Sequence, residues 1–293
     1  MEQPLVEQVR SFNRTMTERV GALHDHFLGR AHPLGEARLL WEIGAEGASV
    51  RELRRRLGLD SGYASRLLRS LEGQGLLVVE PSKDDGRVRQ VRLTRAGQRE
   101  RTELDQRADA FAHTLLEPLS EGQRVKLAAA MAEVERLLIA SMVQIAVADP
   151  TSQEARWCIE QYFVELNRRF DAGFDPTRGI QAHPHELQLP HGLLLVARLR
   201  EEPVGCGALK LHEHAPGEIK RMWVAPQARG LGLGRRLLQE LERHAREAGV
   251  TVLHLETNHT LAEAIALYRH SGYQEVEAFN DEPYAHHWFE KRL

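Results

Sequence analysis

A strand, a glycine-rich loop and a helix follow one another between residues 218 and 245, and this order limits what the C-terminal half can fold into. Apolar residues stand among polar ones over residues 219–224, which is typical of a strand. Pro226 has no backbone N–H to donate and ends that strand. Three glycines at every second position follow over residues 230–234, and leucines then recur at helical spacing. Such a turn directs free N–H groups and the positive end of a helix dipole at one point, which predicts an anion site for a phosphate or pyrophosphate.

The glycine spacing distinguishes this loop from two common phosphate loops. The dinucleotide fingerprint is G-x-G-x-x-G, whereas the glycines here alternate. A P-loop requires Gly-Lys-Ser/Thr, but Arg235 and Arg236 follow Gly234. The pattern that remains is Q-x-x-G-x-G, from Gln227 to Gly232. It resembles the acetyl-CoA pyrophosphate loop of the GNAT superfamily of N-acetyltransferases; a strand-to-helix turn that binds no ligand is the alternative.

A second motif further along the chain extends this resemblance. The pattern A-x-x-x-Y-x-x-x-G-Y, from Ala264 to Tyr273, is similar to another GNAT signature. The resemblance covers residues 144–293 and implies an α/β acyltransferase fold with a mixed sheet, which uses acetyl-CoA as cosubstrate and needs no metal. The residues that it assigns to acetyl-CoA are Met222, Val224, Gln227, Arg229, Gly230, Leu231, Gly232, Gly234, Arg235 and Asn258.

Acetyl transfer to an amine makes two demands on side chains. The amine, with a solution pKa of about 8 or above, must lose a proton before it attacks the thioester, and a carboxylate can accept that proton directly or through water. The departing CoA thiolate needs a proton donor. The resemblance implies Glu218 as the base and Tyr268 as the acid. An ordinary strand carboxylate and a packing tyrosine are the alternatives.

Two further segments are candidates for the acceptor pocket. Residues 280–289 resemble the C-terminal part of GNAT enzymes that act on small amino-acid-like substrates. Residues 171–190 form a long loop rich in Gly, Pro and His, and loops of that length usually serve function. We expect the acceptor, a small amine or amino-acid-like molecule, to contact Phe170, Phe174, Arg178, Asn280 and Tyr284.

The N-terminal half carries a basic segment in an otherwise acidic chain. Residues 51–101 hold 13 Lys and Arg against 7 Asp and Glu, a net charge of +6, whereas the whole chain has −3, so that the remainder carries −9. This concentration of positive charge indicates a nucleic-acid surface. Ser49 and Glu52 form a capping-box pattern for a short helix, and a second helix follows over about residues 61–73. Two short helices joined by a tight turn indicate a helix-turn-helix.

The segment after these helices predicts a hairpin. Residues 76–80 and 87–93 have strand patterns on either side of a turn cluster. D-D-G-R at residues 84–87, followed by L-T-R-A-G at residues 93–97, resembles the D-x-R wing and the L-T-x-x-G motif of MarR-type winged-helix regulators. The resemblance implies that the second helix enters the major groove of double-stranded DNA, and that the wing arginine enters the minor groove. The residues implied at DNA are Ser61, Tyr63, Ser65, Arg66, Arg69 and Arg87, with Asp85 holding Arg87.

Two alternatives to DNA contact stay open for this segment. The Arg54–Arg56 run is either a solvated helix face or a set of phosphate contacts, and a winged helix can also serve as a protein–protein module. Long apolar stripes over residues 5–28 and 120–142 predict two long helices that resemble the dimerisation layer of the family. A homodimer would match a palindromic operator. Packing within one domain is the alternative for these stripes.

The remaining features concern compartment. No apolar run reaches the roughly 18 residues of a membrane span, and the first residues have no signal-peptide pattern. Cys158 and Cys206 are far apart and have no metal-ligand spacing, so we expect them to be reduced core residues. These features favour a cytoplasmic protein with no membrane partner.

Together, the patterns predict two domains. Residues 1–143 form a mainly α winged helix-turn-helix domain, and residues 144–293 form an α/β GNAT domain. The leading hypothesis is a bifunctional transcriptional regulator and acetyl-CoA-dependent N-acetyltransferase. The alternative is a DNA-binding transcription factor whose GNAT domain only senses acetyl-CoA or another ligand.

Overall fold

The structure, a computed structural model, describes residues 3–20, 27–30, 32–82, 86 and 88–293. The chain divides into two compact units, residues 1–129 and 130–293. Each unit has its own cluster of buried apolar side chains. The boundary between the units falls inside a helix, whereas the predicted domain boundary between residues 143 and 144 lies just beyond the end of that helix and remains a prediction.

The first unit is mainly helical with a small antiparallel sheet. Along the chain it contains α1 (Gln3–Arg19), α2 (Leu34–Ile43), β1 (Ala48–Ser49), α3 (Val50–Leu57), α4 (Ser61–Gly73), β2 (Leu77–Pro81), β3 (Arg89–Leu93), α5 (Arg95–Leu116) and the start of α6 (Glu121–Ser141). Among the described residues the strands lie in the order β1-β3-β2, with β2 and β3 forming the predicted hairpin. The two-residue strand β1 was not predicted, because it is too short to show a period.

The prediction of one helix over residues 5–28 is wrong at its C-terminal end. Helix α1 ends at Arg19, and residues Phe27–Gly29 form a separate 3-10 turn. Leu28 has a φ of 53°, a left-handed conformation that a continuous α-helix excludes. Residues 21–26 lie outside the described residues.

Side-chain caps set the two short helices of the predicted helix-turn-helix. The Ser49 hydroxyl accepts a hydrogen bond from the Glu52 N–H at 3.1 Å and starts α3. Gly58 ends α3 in a left-handed conformation with φ 63°. The Asp60 carboxylate accepts the Tyr63 N–H at 2.8 Å and starts α4, and this hydrogen bond is the main cause that lowers the pKa of Asp60.

A buried carboxylate joins α2 to α4. Glu36 accepts hydrogen bonds from the Ser70 hydroxyl at 2.6 Å and from the Gln74 amide at 3.2 Å, and its other near neighbour is His32 at 3.1 Å. Burial alone would raise the pKa of Glu36, but these hydrogen bonds outweigh it and lower the pKa. The ionised carboxylate therefore holds the second helix of the helix-turn-helix against the core.

The second unit is built on a mixed sheet, as predicted. Its residues are all described and contain a seven-stranded sheet in the order β4-β5-β6-β7-β8-β10-β9. The strands are β4 (Gln144–Ala148), β5 (Gly192–Leu199), β6 (Glu202–Lys210), β7 (Gly217–Val224), β8 (Val252–Thr257), β9 (Gln274–Val276) and β10 (His287–Arg292). The helices are α7 (Gln153–Arg169), α8 (Leu233–Glu247) and α9 (Ala262–His270), after the C-terminal part of α6. Every neighbouring pair is antiparallel except β7 and β8, which are parallel and joined through α8.

Two findings concern the cysteines and the lengths of the apolar helices. Cys158 and Cys206 are free thiols, both fully buried in the core of the second unit. Among the described residues, no helix has the length and apolar character needed to cross a membrane.

The Glu36 contacts predict a pH-dependent contribution to stability. Glu36→Gln removes one of two acceptor oxygens and turns an N–H toward Gln74, so we expect a loss of about 1–3 kcal/mol in the free energy of unfolding at pH 7. Because folding lowers the pKa of Glu36 below its ordinary value of 4.5, the ionised carboxylate stabilises the fold above that pH, and the gain is lost as the pH falls through the folded pKa. In urea unfolding across pH 3 to 7, the free energies of unfolding of the parent protein and Glu36→Gln should therefore converge at the acidic end.

The matched control is Glu46→Gln, which removes the charge of an exposed glutamate between α2 and β1. We expect this variant to stay within about 0.5 kcal/mol of the parent protein. An equal loss in both variants would contradict the role given to Glu36.

Candidate functional site

The parallel strands β7 and β8 separate soon after they meet. They pair only at Gly217 with Leu253 and at Glu218 with His254. Beyond these pairs the two strands diverge, and their side chains line a cavity. The lining residues from the two strands and the segment after β8 are Ile219, Lys220, Arg221, Met222, Glu256, Thr257 and Asn258. The opening between the strands is thus a gap in the sheet, closed by side chains from neighbouring elements.

A bulge in β7 accompanies this separation. The register between β6 and β7 shifts between Cys206 and Ala208, and Arg221 opposite them has a φ of 58°. A bulge bends its strand and increases the local twist. A left-handed conformation in a non-glycine residue costs free energy and often marks a functional site. The bend therefore directs the second half of β7 away from β8.

A groove runs from this opening to the glycine-rich loop. Gly230 and Gly232 have φ values of 78° and 72°, in the region that favours glycine, and Gly232 directly precedes α8. The first N–H groups of α8 therefore have no helical partner and face the loop. The groove has a volume of about 520 Å³. Seven of the residues predicted for acetyl-CoA line it: Met222, Val224, Arg229, Gly230, Gly232, Gly234 and Arg235.

The other three residues predicted for acetyl-CoA lie elsewhere. Gln227 is exposed on a short 3-10 turn, and Leu231 packs against the core. Asn258 is buried and lines the neighbouring cavity. Its amide donates to the Tyr284 carbonyl at 2.8 Å and accepts the Thr260 N–H at 2.9 Å, so both ends of the side chain hold local backbone.

Arginines surround the groove and hold its loop. Arg229 forms an ion pair with Glu165 and donates to the Val224 carbonyl at 3.1 Å. From the last turns of α6, Arg136 donates to the Gly230 carbonyl at 2.6 Å. This bond holds the Gly230 carbonyl on one side of the loop, so that the N–H group of the same peptide points to the other side. The groove combines positive side chains with a helix N-terminus, which suits an anionic ligand.

The cavity beyond the opening has aromatic walls and a volume of about 110 Å³. Three residues predicted for the acceptor, Phe170, Phe174 and Tyr284, line it. The Phe174 and Tyr284 rings are 4.9 Å apart. Arg178 is exposed and outside the lining, and Asn280 is also outside it. Asn280 instead accepts the Trp288 indole N–H at 2.8 Å.

Tyr268 lies where the groove and the cavity meet, since it lines both. Its side chain is buried, and that burial raises its pKa well above the ordinary tyrosine value. Tyr162 also lines both spaces, and burial raises its pKa to about 12. Both phenols are therefore protonated at neutral pH and can act as donors at this junction.

Glu218, the predicted base, lies outside the lining of both spaces. Its carboxylate is 3.2 Å from the Lys220 ammonium and 3.2 Å from a ring nitrogen of His212. Burial would raise the pKa of Glu218, but the cations Lys220 and Lys210 outweigh it and lower the pKa. A carboxylate with a lowered pKa is a weaker proton acceptor.

Glu256 on β8 is a functional candidate that was not predicted from the sequence. Its side chain is 9% exposed, it lines the aromatic cavity, and its Oε1 pairs with Lys220. Among the described residues, its Oε2 has no hydrogen-bond partner. A buried and unpaired carboxylate oxygen is costly unless a ligand uses it. The available sequence signals were the acidic residue at the end of a buried strand and a lysine within another buried strand.

The first unit presents the predicted nucleic-acid surface on α4. Ser61, Tyr63, Arg66 and Arg69 are exposed there, whereas Ser65 is half-buried. The Arg66 guanidinium lies 5.7 Å from the centre of the Tyr63 ring, and Arg69 donates to the Ser65 carbonyl at 3.2 Å. Asp85 and Arg87 lie outside the described residues. In the preceding helix, Arg56 donates to the Glu42 carbonyl, which gives this member of the arginine run an intramolecular partner.

Comparison with known proteins relates both units to families. The model of the GNAT acetyltransferase family matches residues 155–273, and the model of the MarR family matches residues 32–88. The chain is 47% identical over 94 residues to the IAA acetyltransferase of Azospirillum brasilense, covering 32% of this chain and 61% of that protein. It is 35% identical over 119 residues to the N-alpha-acetyltransferase RimI of Mycobacterium tuberculosis, covering 40% of this chain and 73% of that protein.

The shared lengths differ between relatives. The chain spans about three fifths of the Azospirillum protein, and 59% of an N-acetyltransferase of Schizosaccharomyces pombe to which it is 36% identical. Among solved structures, the PcaV transcriptional regulator of Streptomyces coelicolor is 22% identical, with 44% of this chain and 94% of that chain covered and a TM-score of 0.39. With its two family matches in this order, the chain belongs to the GNAT acetyltransferase family and carries a MarR-family winged helix before the GNAT domain.

Proposed function

We propose that the chain is a DNA-binding transcriptional regulator and an acetyl-CoA-dependent N-acetyltransferase of a small amine or amino-acid-like acceptor. One observation carries the acetyltransferase part. A groove with a helix N-terminus and a cavity with a buried carboxylate meet at Tyr268, in the gap between β7 and β8. This arrangement lets an acetyl donor in the groove and an amine acceptor in the cavity reach Tyr268 from different sides.

Acetyl-CoA fits the chemistry of the groove. Its pyrophosphate would lie over the N–H groups that follow Gly230 and Gly232, where the α8 dipole and Arg235 favour negative charge. The pantetheine arm would run along the exposed edge of β7 beside Val224 and Met222. A backbone N–H of β7 at the opening would polarise the thioester carbonyl. The acceptor amine would approach that carbonyl from the aromatic cavity.

The proton acceptor that the geometry favours is Glu256. Its Oε2 faces no protein donor among the described residues and belongs to the cavity where the amine would lie. Glu218 then acts as a positioning residue, because it holds Lys220, which in turn pairs with Glu256. The amine nitrogen forms its bond to the acetyl carbon, the carbon–sulfur bond breaks, and Tyr268 supplies a proton to the thiolate.

The exposed apolar residues of two helices support a homodimer. Leu5 and Val9 on α1 are 60% and 59% exposed, and Val125 on α6 is 65% exposed. Neither helix buries any residue within the single chain, counting the described residues. A partner surface that covers these exposed apolar side chains would remove them from water. A two-fold dimer would present two copies of α4 to a palindromic operator.

Replacing Tyr268 tests the catalytic proposal. We expect Tyr268→Phe to lower the rate of thiol release from acetyl-CoA by about 100-fold or more across an amine panel, because the phenolic proton is lost while the ring is kept. The matched control is Tyr273→Phe, a buried tyrosine outside both spaces, which should keep the parent rate. No thiol release with any amine, together with intact acetyl-CoA binding, would favour the alternative of a sensing domain.

Replacing Gly232 tests the pyrophosphate loop. Gly232 and Gly249 both have left-handed backbones, with φ 72° and 80°, and a Cβ at either would meet no atom within 4 Å. An L-residue at such a φ costs roughly 1–2 kcal/mol, so Gly232→Ala and Gly249→Ala should destabilise the fold similarly. We expect only Gly232→Ala to weaken acetyl-CoA binding, by about 10-fold in calorimetry, since only it reorients the loop N–H groups. Equal affinities in the two variants would contradict the loop assignment.

Arginine replacements test the DNA-binding surface. Arg66→Ala and Arg69→Ala should each weaken binding to a duplex from the region upstream of the gene, measured by fluorescence anisotropy, and each lost phosphate contact should reduce the salt slope by about 1. Arg99→Ala removes the same charge from an exposed position on α5 and serves as the control. The assay also reports whether two chains bind per duplex.

Arg87→Ala tests the predicted wing in the same assay. Unchanged binding would contradict the wing assignment. A loss in Arg99→Ala as large as that in Arg66→Ala would indicate a general effect of charge rather than a recognition helix.

A further inference from the structure

We infer that Arg221 binds a carboxylate of the acceptor, so that the acceptor is an amino acid or a closely related amino carboxylate. This inference rests on the proposed acetyl transfer and narrows its substrate class. In this inference, Arg221 binds the carboxylate of a zwitterionic acceptor and Glu256 binds its amine.

Arg221 occupies an unusual position for a cation. It stands at the bulge of β7 with a φ of 58° and lines the aromatic cavity. Its guanidinium lies 4.3 Å from the centre of the Phe163 ring and 6.0 Å from that of Tyr162. The strained backbone turns this side chain into the cavity, and such strain persists where the surroundings or a ligand require it.

The guanidinium lacks the counter-ion that other cations of this region have. Lys220 pairs with Glu256, and Lys210 lies 2.8 Å from Glu186. Over residues 88–293, all of which are described, no carboxylate lies within ion-pair distance of Arg221. Burial lowers the pKa of Arg221, which reflects the free energy of removing its charge from water. An anion that enters the cavity would offset that cost.

The negative charge of Glu282 acts on Arg221 and raises its pKa, but the two side chains form no ion pair. Glu282 lines the same cavity, but its oxygens accept the Ile180 N–H at 2.6 Å and the Tyr284 N–H at 3.3 Å. The bond from Ile180 joins the loop of residues 280–285 to the loop of residues 176–182, and the bond from Tyr284 lies within the first of these loops. Glu282 therefore holds the loops that form the cavity wall, and the guanidinium N–H groups of Arg221 have no ion pair with it.

Stacking leaves the donors of Arg221 free. An aromatic ring interacts with the flat face of a guanidinium, whereas the N–H groups point outward in its plane. That edge matches the two oxygens of a carboxylate in a bidentate pair. In the same cavity, Oε2 of Glu256 is an acceptor without a partner among the described residues. A free acceptor and a free fork of donors suit an amine and a carboxylate on one small molecule.

The other walls of the cavity favour an apolar side chain on the acceptor. Phe170, Phe174 and Tyr284 form a contiguous set of rings with centres 4.9 to 5.7 Å apart. The small cavity volume, about 110 Å³, excludes large acceptors from full burial. An amino acid with an apolar side chain satisfies the charge, the walls and the size together.

The test compares free amino acids with their amides. Alanine, leucine and phenylalanine are each compared with their C-terminal amide, which lacks the carboxylate and has a lower amine pKa. The value of kcat/KM is therefore expressed per concentration of unprotonated amine and is measured by thiol release from acetyl-CoA. We expect the parent protein to prefer the free acid by about 10- to 100-fold. Arg221→Gln should abolish this preference by raising KM for the acids, while rates with the amides change little. Arg221→Lys should keep part of the preference, since it keeps the charge but loses the fork.

Two controls separate recognition from folding. Arg168→Gln removes an exposed arginine of α7 outside both spaces and should keep the full preference. Thermal unfolding of each variant shows whether the fold is retained. A purely structural role of Arg221 would lower the rates with acids and amides alike. That result would overturn the inference. An equal preference in Arg221→Gln and the parent would also overturn it, as would a loss of the preference in Arg178→Gln instead.

A binding measurement keeps the inference testable without turnover. N-acetylphenylalanine and its amide are titrated into the protein with CoA present, by calorimetry. We expect tighter binding of the acid, and loss of that difference in Arg221→Gln. Absence of thiol release with every amine would reject the acetyltransferase proposal, whereas equal binding of acid and amide would reject the carboxylate site alone.

Discussion

The candidate active site depends on one short parallel pairing in an otherwise antiparallel sheet. β7 and β8 share two residue pairs and then separate. A sheet satisfies its backbone groups through neighbouring strands, so such a gap leaves backbone donors and acceptors of β7 unpaired inside the fold. Those groups can bind an extended ligand as a further strand would. The bulge at Arg221 accounts for the divergence and also sets the direction of that side chain.

The charged groups around the gap differ in whether they have a partner within the protein. Lys220 lies between Glu218 and Glu256 and pairs with both, which lets two carboxylates and one ammonium share a partly buried region. Removing charges from water is costly, and each pairing offsets part of that cost. Around this gap, Oε2 of Glu256 has no hydrogen-bond partner among the described residues, and burial lowers the pKa of Arg221 although the charge of Glu282 offsets part of that effect. These two groups are therefore the ones available to a ligand in the cavity.

The N-terminal unit uses a different means to position its candidate DNA-binding surface. Hydrogen-bonded caps at Ser49 and Asp60 set where α3 and α4 begin. Glu36 then connects α2 to α4 from inside the core, where a carboxylate is tolerated because it accepts several hydrogen bonds. The exposed face of α4 consequently has a fixed orientation on a well-packed base. Each unit thus carries its own candidate site on its own core.

The local patterns of the sequence determined much of this protein. The glycine loop was predictable because Gly230 and Gly232 need left-handed backbones and α8 must begin next to them, all within one short stretch. The Ser49 cap followed from an equally local signal and the mixed sheet from the resemblance carried by two short motifs, although the Asp60 cap, the two-residue β1 and the end of α1 were not predicted. Only the tertiary structure decided which side chains share a cavity. Glu256 and Arg221 are on strands that meet through the parallel pairing, Asn258 turns to the loop at Tyr284, and Arg178 stays exposed. Strand order, a bulge and the burial of charge join residues far apart in the chain, and no local period encodes those contacts.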